Sequence, residues 1–117
     1  MIRVTYCRKD HCLTVEGHAL SGEPGQDLVC ASASMLIYTL AAFVANTVNI
    51  GFATEKVIKL ESGDAEVSCK VKGAHDMTVA LVFDSICAGF DILAQNYPEN
   101  VKYEIINYTR DRKQKQD

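Results

Sequence analysis

Residues 16–34 read EGHALSGEPGQDLVCASAS, and in this stretch the pattern of the chain changes from strand to helix. The residues before it alternate between apolar and polar, glycine and proline predict a loop over residues 19–26, and the uncharged apolar run that follows predicts a long helix. Asp27 stands where a helix N-cap is expected, and Cys30 follows three residues later, in the predicted first turn. The loop would therefore bring His18, at a strand end, to a helix that carries a thiol.

Alternating apolar residues predict strands on both sides of this stretch. Residues 1–6 and 13–15 form a predicted hairpin, and residues 57–60 and 65–72 form a second pair around a turn at 61–64. A last strand is predicted over residues 101–108.

Two helices complete the predicted fold. The first should end near Asn49, with Gly51 at its C-terminal stop, and the second should begin at an Asp76 cap and end before Pro98. The element order ββαββαβ predicts an α+β fold, a two-layer sandwich with two helices packed on one face of a mostly antiparallel sheet. Residues 1–108 are predicted to form a single domain, and the polar residues 109–117 a disordered tail.

Composition and charge exclude some classes of function. The chain has 117 residues and a formal charge of −3, so we expect no direct nucleic-acid binding. The five cysteines are odd in number and form no CxxC pair, and the chain opens Met-Ile-Arg-Val without a secretory signal, which predicts reduced thiols and a cytoplasmic protein.

One stretch is long enough to suggest a membrane span. Residues 28–54 contain no charged side chain, but serine, threonine and asparagine interrupt the run and no basic flank marks a cytoplasmic end. We therefore predict a helix buried on most sides of a small domain, and no membrane contact.

The pairing of His18 with Cys30 is typical of nucleophilic catalysis by sulfur. A helix N-terminus favours the thiolate, and an imidazole that titrates near neutral pH can take up and return the thiol proton. Asp27, Cys30 and Ser34 fall on one helix face by their spacing. The alternative is a surface histidine and a helix that simply begins with a cysteine.

The other cysteines have structural interpretations. Cys69 and Cys87 lie on the apolar sides of a predicted strand and helix, where small thiols pack in the core. Cys7, His11 and Cys12 surround a turn and could be extended to four metal ligands by His18 and Cys30. Because the adjacent His11 and Cys12 would point to opposite faces of a strand and the usual paired spacing is missing, we predict no metal site and no cofactor.

The sequence resembles the ribosomal-processing cysteine protease family called Prp. The resemblance is carried by Gly17-His18-Ala19, by the segment Asp27-x-Val29-Cys30-Ala31, and by Ser34, and it extends over residues 1–108. It implies that Cys30 is the nucleophile and His18 its proton-transfer partner. Asp27 and Ser34 would be supporting residues, and the loop with Gly22, Pro24 and Gly25 would be mobile.

The resemblance also implies a substrate and a partner. Members of the family remove an N-terminal extension from a large-subunit ribosomal protein precursor, cutting after a phenylalanine, and they form homodimers. The backbone amides of Cys30 and Ala31 are the predicted oxyanion donors. A non-catalytic ribosome-associated binding module is the alternative function.

Overall fold

The computed structural model describes residues 1–18 and 26–107, with only the backbone of Gln26 and Asp27. Over these residues the chain forms five strands and two long helices in the order ββαββαβ. The elements are β1 (Ile2–Cys7), β2 (Cys12–Gly17), α1 (Gln26–Thr47), β3 (Ala53–Glu61), β4 (Asp64–Val71), α2 (Asp76–Asn96) and β5 (Val101–Ile106), with a 3-10 turn at Gly73–His75 before α2. The predicted α+β fold and element order are confirmed.

The strands form one sheet in the order β3-β4-β2-β1-β5. Three neighbouring pairs are antiparallel, and β1 with β5 is the parallel pair, in which Ile2 lies opposite Val101. The sheet is therefore mostly antiparallel, as predicted.

The two faces of the sheet differ in chemistry. Val4 of β1, Leu13 of β2 and Val67 of β4 point toward the helices and are fully buried. Each helix contributes one apolar side to the same core, including Leu40 and Val44 of α1 and Val79, Phe83 and Phe90 of α2. The opposite face carries polar cross-strand pairs such as Thr14 with Glu66 and Glu16 with Asp64.

The helix starts differ from the sequence prediction. α1 already begins at Gln26, so Asp27 lies within its first turn rather than at its N-cap. The N-cap of α2 is His75, and Asp76 is its first residue. The 3-10 turn leads directly into α2, and the Asp76 carboxylate contacts the imidazole of His11 at 3.2 Å.

Some strands end at residues other than those predicted, and two predicted segments lie largely outside the described residues. β3 extends over Ala53–Glu61, beyond the predicted 57–60, because it pairs with nearly the whole of β4. β5 ends at Ile106. The predicted mobile loop, except for residue 26, and the predicted tail lie outside the described residues.

The uncharged stretch corresponds largely to α1, and this helix is less buried than predicted. One side packs in the core, but Leu28, Met35 and Tyr38 on the other side are 58%, 67% and 53% exposed. By length and composition alone, the segments Leu28–Thr47 and Gly73–Asn96 are each apolar enough to cross a membrane. Core helices of small domains share this property.

Candidate active site

The fold brings His18 and Cys30 to the same end of the sheet. The C-terminal end of α1 lies beside the start of β3, where the Phe52 amide donates to the Thr47 carbonyl at 2.8 Å. A helix of 22 residues is about 33 Å long. Its N-terminal part therefore lies at the opposite end, where β2 finishes at Gly17. Within residues 1–18 and 26–107, no hydrogen bond joins His18 to Cys30.

Cys30 lies on the side of α1 that faces the core. It is half-buried and packs against the hydrophobic cluster, whereas its neighbour Val29 is fully buried and Ala31 is exposed. Ser34 is also half-buried and follows one turn later, so the predicted common face holds for these two residues. The side chain of Asp27 lies outside the described part of the chain.

The start of α1 changes the interpretation of the predicted oxyanion donors. Only the first four N–H groups of a helix lack a partner within it. Because α1 begins at Gln26, Cys30 is its fifth residue and Ala31 its sixth. Their amides therefore face carbonyls within the helix, whereas an oxyanion needs free donors, and the assignment of the oxyanion donors stays a prediction. Amides in the first turn, such as that of Leu28, have no partner carbonyl among the described residues of the helix.

His18 follows the end of β2 and is held through its backbone. The amino nitrogen of Met1 donates to the His18 carbonyl at 2.7 Å, and the Gly17 amide donates to the Gly63 carbonyl at 2.9 Å. Gly17 has a φ of 94°, and a Cβ at this position would collide with the Met1 carbonyl. A glycine is therefore required directly before the histidine.

The exposed imidazole of His18 lies against the turn between β3 and β4. The ring lies against Gly63, where an added Cβ would stand 2.6 Å from Cε1 of the ring and closer still to Nε2. No sequence pattern predicts this contact, because the two residues are far apart in the chain and a glycine in a hairpin turn does not indicate which side chain packs against it.

Charged groups flank this turn. The ammonium of Lys59 donates to the Asp64 carboxylate at 2.6 Å, and this hydrogen bond raises the pKa of Lys59. A groove of about 1190 Å³ on the polar face of the sheet reaches Gly17 and Gly63.

The remaining cysteines agree with the structural interpretations. Cys69 and Cys87 are buried, and burial raises their pKa to about 11 and about 12, respectively. The imidazole of His11 contacts Asp76 and lies edge-on to Phe83. Across the described residues, no three histidine, cysteine or acidic side chains are grouped as metal ligands.

Comparison with known proteins identifies the class. The family model of the cysteine protease Prp matches residues 1–102, which include both His18 and Cys30. The chain therefore belongs to the Prp family, and it is a cysteine protease. Comparison with curated proteins gives no significant match.

Solved structures share the fold. SMU.848 from Streptococcus mutans is 27% identical, with a TM-score of 0.66, and the match covers 92% of this chain and 96% of that one. The ribosomal processing protease Prp from S. aureus has a TM-score of 0.62 both with a substrate peptide and with a covalently linked product peptide, at 19% and 20% identity. Both matches cover 90% of this chain and 97% of the other.

Proposed function

We propose that this cysteine protease is an endopeptidase that removes the N-terminal extension of a large-subunit ribosomal protein precursor. Cys30 is the nucleophile and His18 the general base and acid. The observation that supports the assignment most is the match of the Prp family model to residues 1–102, which include both His18 and Cys30. It is also supported by the element bounds, since β2 ends at Gly17 and α1 begins at Gln26. The substrate class is supported by the S. aureus relative, which is a ribosomal processing protease.

The proposed reaction needs only residues of this chain and water. His18 takes the proton from Sγ of Cys30, and the thiolate attacks the scissile carbonyl carbon. As the C–N bond breaks, His18 returns the proton to the departing amine, which leaves an acyl-enzyme thioester. Water then hydrolyses the thioester, releasing the carboxylate product and regenerating the thiol.

Groups at the start of α1 support this reaction in the proposal. Amides in its first turn hold the oxyanion, since those of Cys30 and Ala31 are engaged within the helix. Ser34, one turn beyond Cys30, lies close enough along the helix to support the thiol. Asp27 is placed in the first turn as a further supporting residue.

Cleavage of a synthetic precursor peptide tests the proposal. The wild-type protein should cut once, after a phenylalanine, whereas Cys30→Ser and His18→Ala should each lower kcat/KM by at least about 100-fold. Cys12→Ser is the matched control, because this half-buried thiol lies at the far end of β2. Mass spectrometry of the products locates the cut.

The same experiment distinguishes the alternative. A wild-type protein that binds the peptide without cutting it would favour the non-catalytic ribosome-associated binding module. Equal cleavage by Cys30→Ser would assign the reaction to another residue.

We further propose that the protein acts in the cytoplasm as a homodimer. The uncharged outer side of α1, with Leu28, Met35 and Tyr38, supports a second copy as its partner. Light scattering should give twice the chain mass for the wild type and the monomer mass for Met35→Glu. Met77→Glu on the exposed side of α2 is the control and should remain dimeric. A wild-type monomer would overturn the dimer without affecting the protease assignment.

A further inference from the structure

We propose that Gly63 is a positioning residue for His18, because the missing side chain at position 63 leaves the space that the imidazole occupies. This inference rests on the proposed function, in which His18 transfers the proton of Cys30. Gly63 itself touches no reacting atom and acts only through the histidine.

The contact between the two residues leaves no room for a methyl group. A Cβ on Gly63 would stand 2.6 Å from Cε1 of His18 and 3.0 Å from Cδ2, and it would overlap Nε2 most strongly. Carbon atoms in ordinary contact are about 3.5–4.0 Å apart. Any residue with a Cβ at position 63 therefore requires the ring or the turn to move.

The turn is the more firmly held of the two. The Gly63 carbonyl accepts a hydrogen bond from the Gly17 amide at 2.9 Å, and the flanking residues Glu61 and Asp64 pair directly across the β3–β4 hairpin. The imidazole, in contrast, is an exposed side-chain end with rotational freedom. We therefore expect the ring to be displaced while the hairpin keeps its place.

Displacement of this ring affects proton transfer. A general base must lie within hydrogen-bonding distance of its proton, and a misplacement of about 1 Å can reduce a rate by about 100-fold. Because Nε2 is the atom that a Cβ would approach most closely, the ring nitrogen itself would change position. Gly63 thus sets where the base stands before the substrate binds.

A second glycine provides a matched control for backbone strain. Gly63 has a φ of 73° and Gly51 a φ of 83°, so both occupy the left-handed region that side chains disfavour. A Cβ on Gly51, however, would meet nothing within 4 Å. Asparagine tolerates this backbone conformation better than most residues. Gly63→Asn and Gly51→Asn therefore carry similar strain, and only the first crowds His18.

The kinetic test compares these two variants. Gly63→Asn should lower kcat/KM by about tenfold or more and change the pH profile of cleavage, whereas Gly51→Asn should stay within about twofold of the wild type. In the His18→Ala background, Gly63→Asn should cause no additional loss. Equal activity of Gly63→Asn and Gly51→Asn, or a gain in activity for Gly63→Asn, would overturn the proposal.

A readout without substrate separates this inference from the proposed function. In Cys30→Ser protein, the NMR signal of the His18 ring should change with Gly63→Asn and not with Gly51→Asn. If the wild type fails to cleave the peptide while the ring signal responds, the proposed function is wrong and the contact stands. An unchanged ring signal in Gly63→Asn rejects the positioning role.

Discussion

The five cysteines differ in burial, and their reactivity should differ accordingly. Because burial raises the pKa of Cys69 to about 11 and of Cys87 to about 12, their thiolate fractions near neutral pH are about 100-fold and 1000-fold below that of an ordinary thiol. Iodoacetamide at pH 7.5 should therefore modify half-buried Cys30 well before these two thiols, as measured by peptide mass spectrometry.

Denaturant provides the control for this labelling experiment. In the unfolded chain the five thiols should react at similar rates, since burial no longer separates them. Labelling of Cys87 as fast as Cys30 in the folded protein would contradict the burial argument.

At the residue scale, sequence patterns predicted which side chains are buried better than they predicted which residues those side chains contact. The core positions of Cys69 and Cys87 followed from strand and helix periodicity. The position of Cys30 within α1 did not, because the polar Gln26 gives no periodic signal that the helix has already begun. The contact of His18 with Gly63 depends on the pairing of β2 with β4, which no local pattern contains.

A hydrogen-bonded group connects β1 to α2. The buried Tyr6 hydroxyl donates to Asp84 at 2.8 Å, and Arg8 donates to the same carboxylate at 3.0 and 3.2 Å. Burial, with the Asp84 carboxylate as a further cause, raises the pKa of Tyr6.

Tyr6→Phe should lower the free energy of unfolding by about 1 kcal/mol, because it removes a buried hydrogen bond and keeps the ring. Arg8→Gln should cost less, since the Arg8 side chain is 58% exposed. Urea unfolding of the two variants measures the difference. A larger loss for Arg8→Gln would show that the exposed ion pair is the main connection.

At the element scale, the sequence predicted the number and type of elements, and errors fell at their ends. Only Ala53 of β3 is buried, so most of this strand shows no alternation of burial and only a short part of it was predicted. The Asp76 carboxylate was predicted to cap α2. In the structure it contacts His11, which lies between β1 and β2 and is far from Asp76 in the sequence. Both the length of β3 and the position of the Asp76 carboxylate thus depend on contacts between residues far apart in the sequence.

Across the whole molecule, buried titratable groups predict lower stability in alkali. The pKa values of Cys69 and Cys87 are raised by folding, so the folded state holds these protons more tightly than the unfolded state. The contribution of these two thiols to the free energy of unfolding is complete below their unfolded pKa of about 9. It is lost as the pH rises toward 11 for Cys69 and 12 for Cys87.

The free energy of unfolding should therefore be nearly constant between pH 7 and 8 and fall by about 1 kcal/mol per buried thiol at pH 10. Urea titrations under reducing conditions measure this change. Cys87→Ala should lower stability at every pH and show a shallower decline above pH 9. Equal stability of the wild type at pH 7 and pH 10 would contradict the prediction.

The order of the strands in the sheet could not be predicted from the sequence patterns. They indicated a mostly antiparallel sheet with helices on one face, and this holds. The strand order was not predictable, because alternation shows which side of a strand is buried and not which strand is its neighbour.

The pairing of β1 with β5 has a consequence for the time at which the protease matures during synthesis. The Ile2 amide donates to the Asn100 carbonyl, while Met1 donates to His18. The segment that holds the histidine is thus itself fastened to one of the last described parts of the chain to leave the ribosome. A nascent chain that has exposed only residues up to α2 lacks this anchor, so the end of β2 that carries His18 gains this support only after β5 has been synthesised.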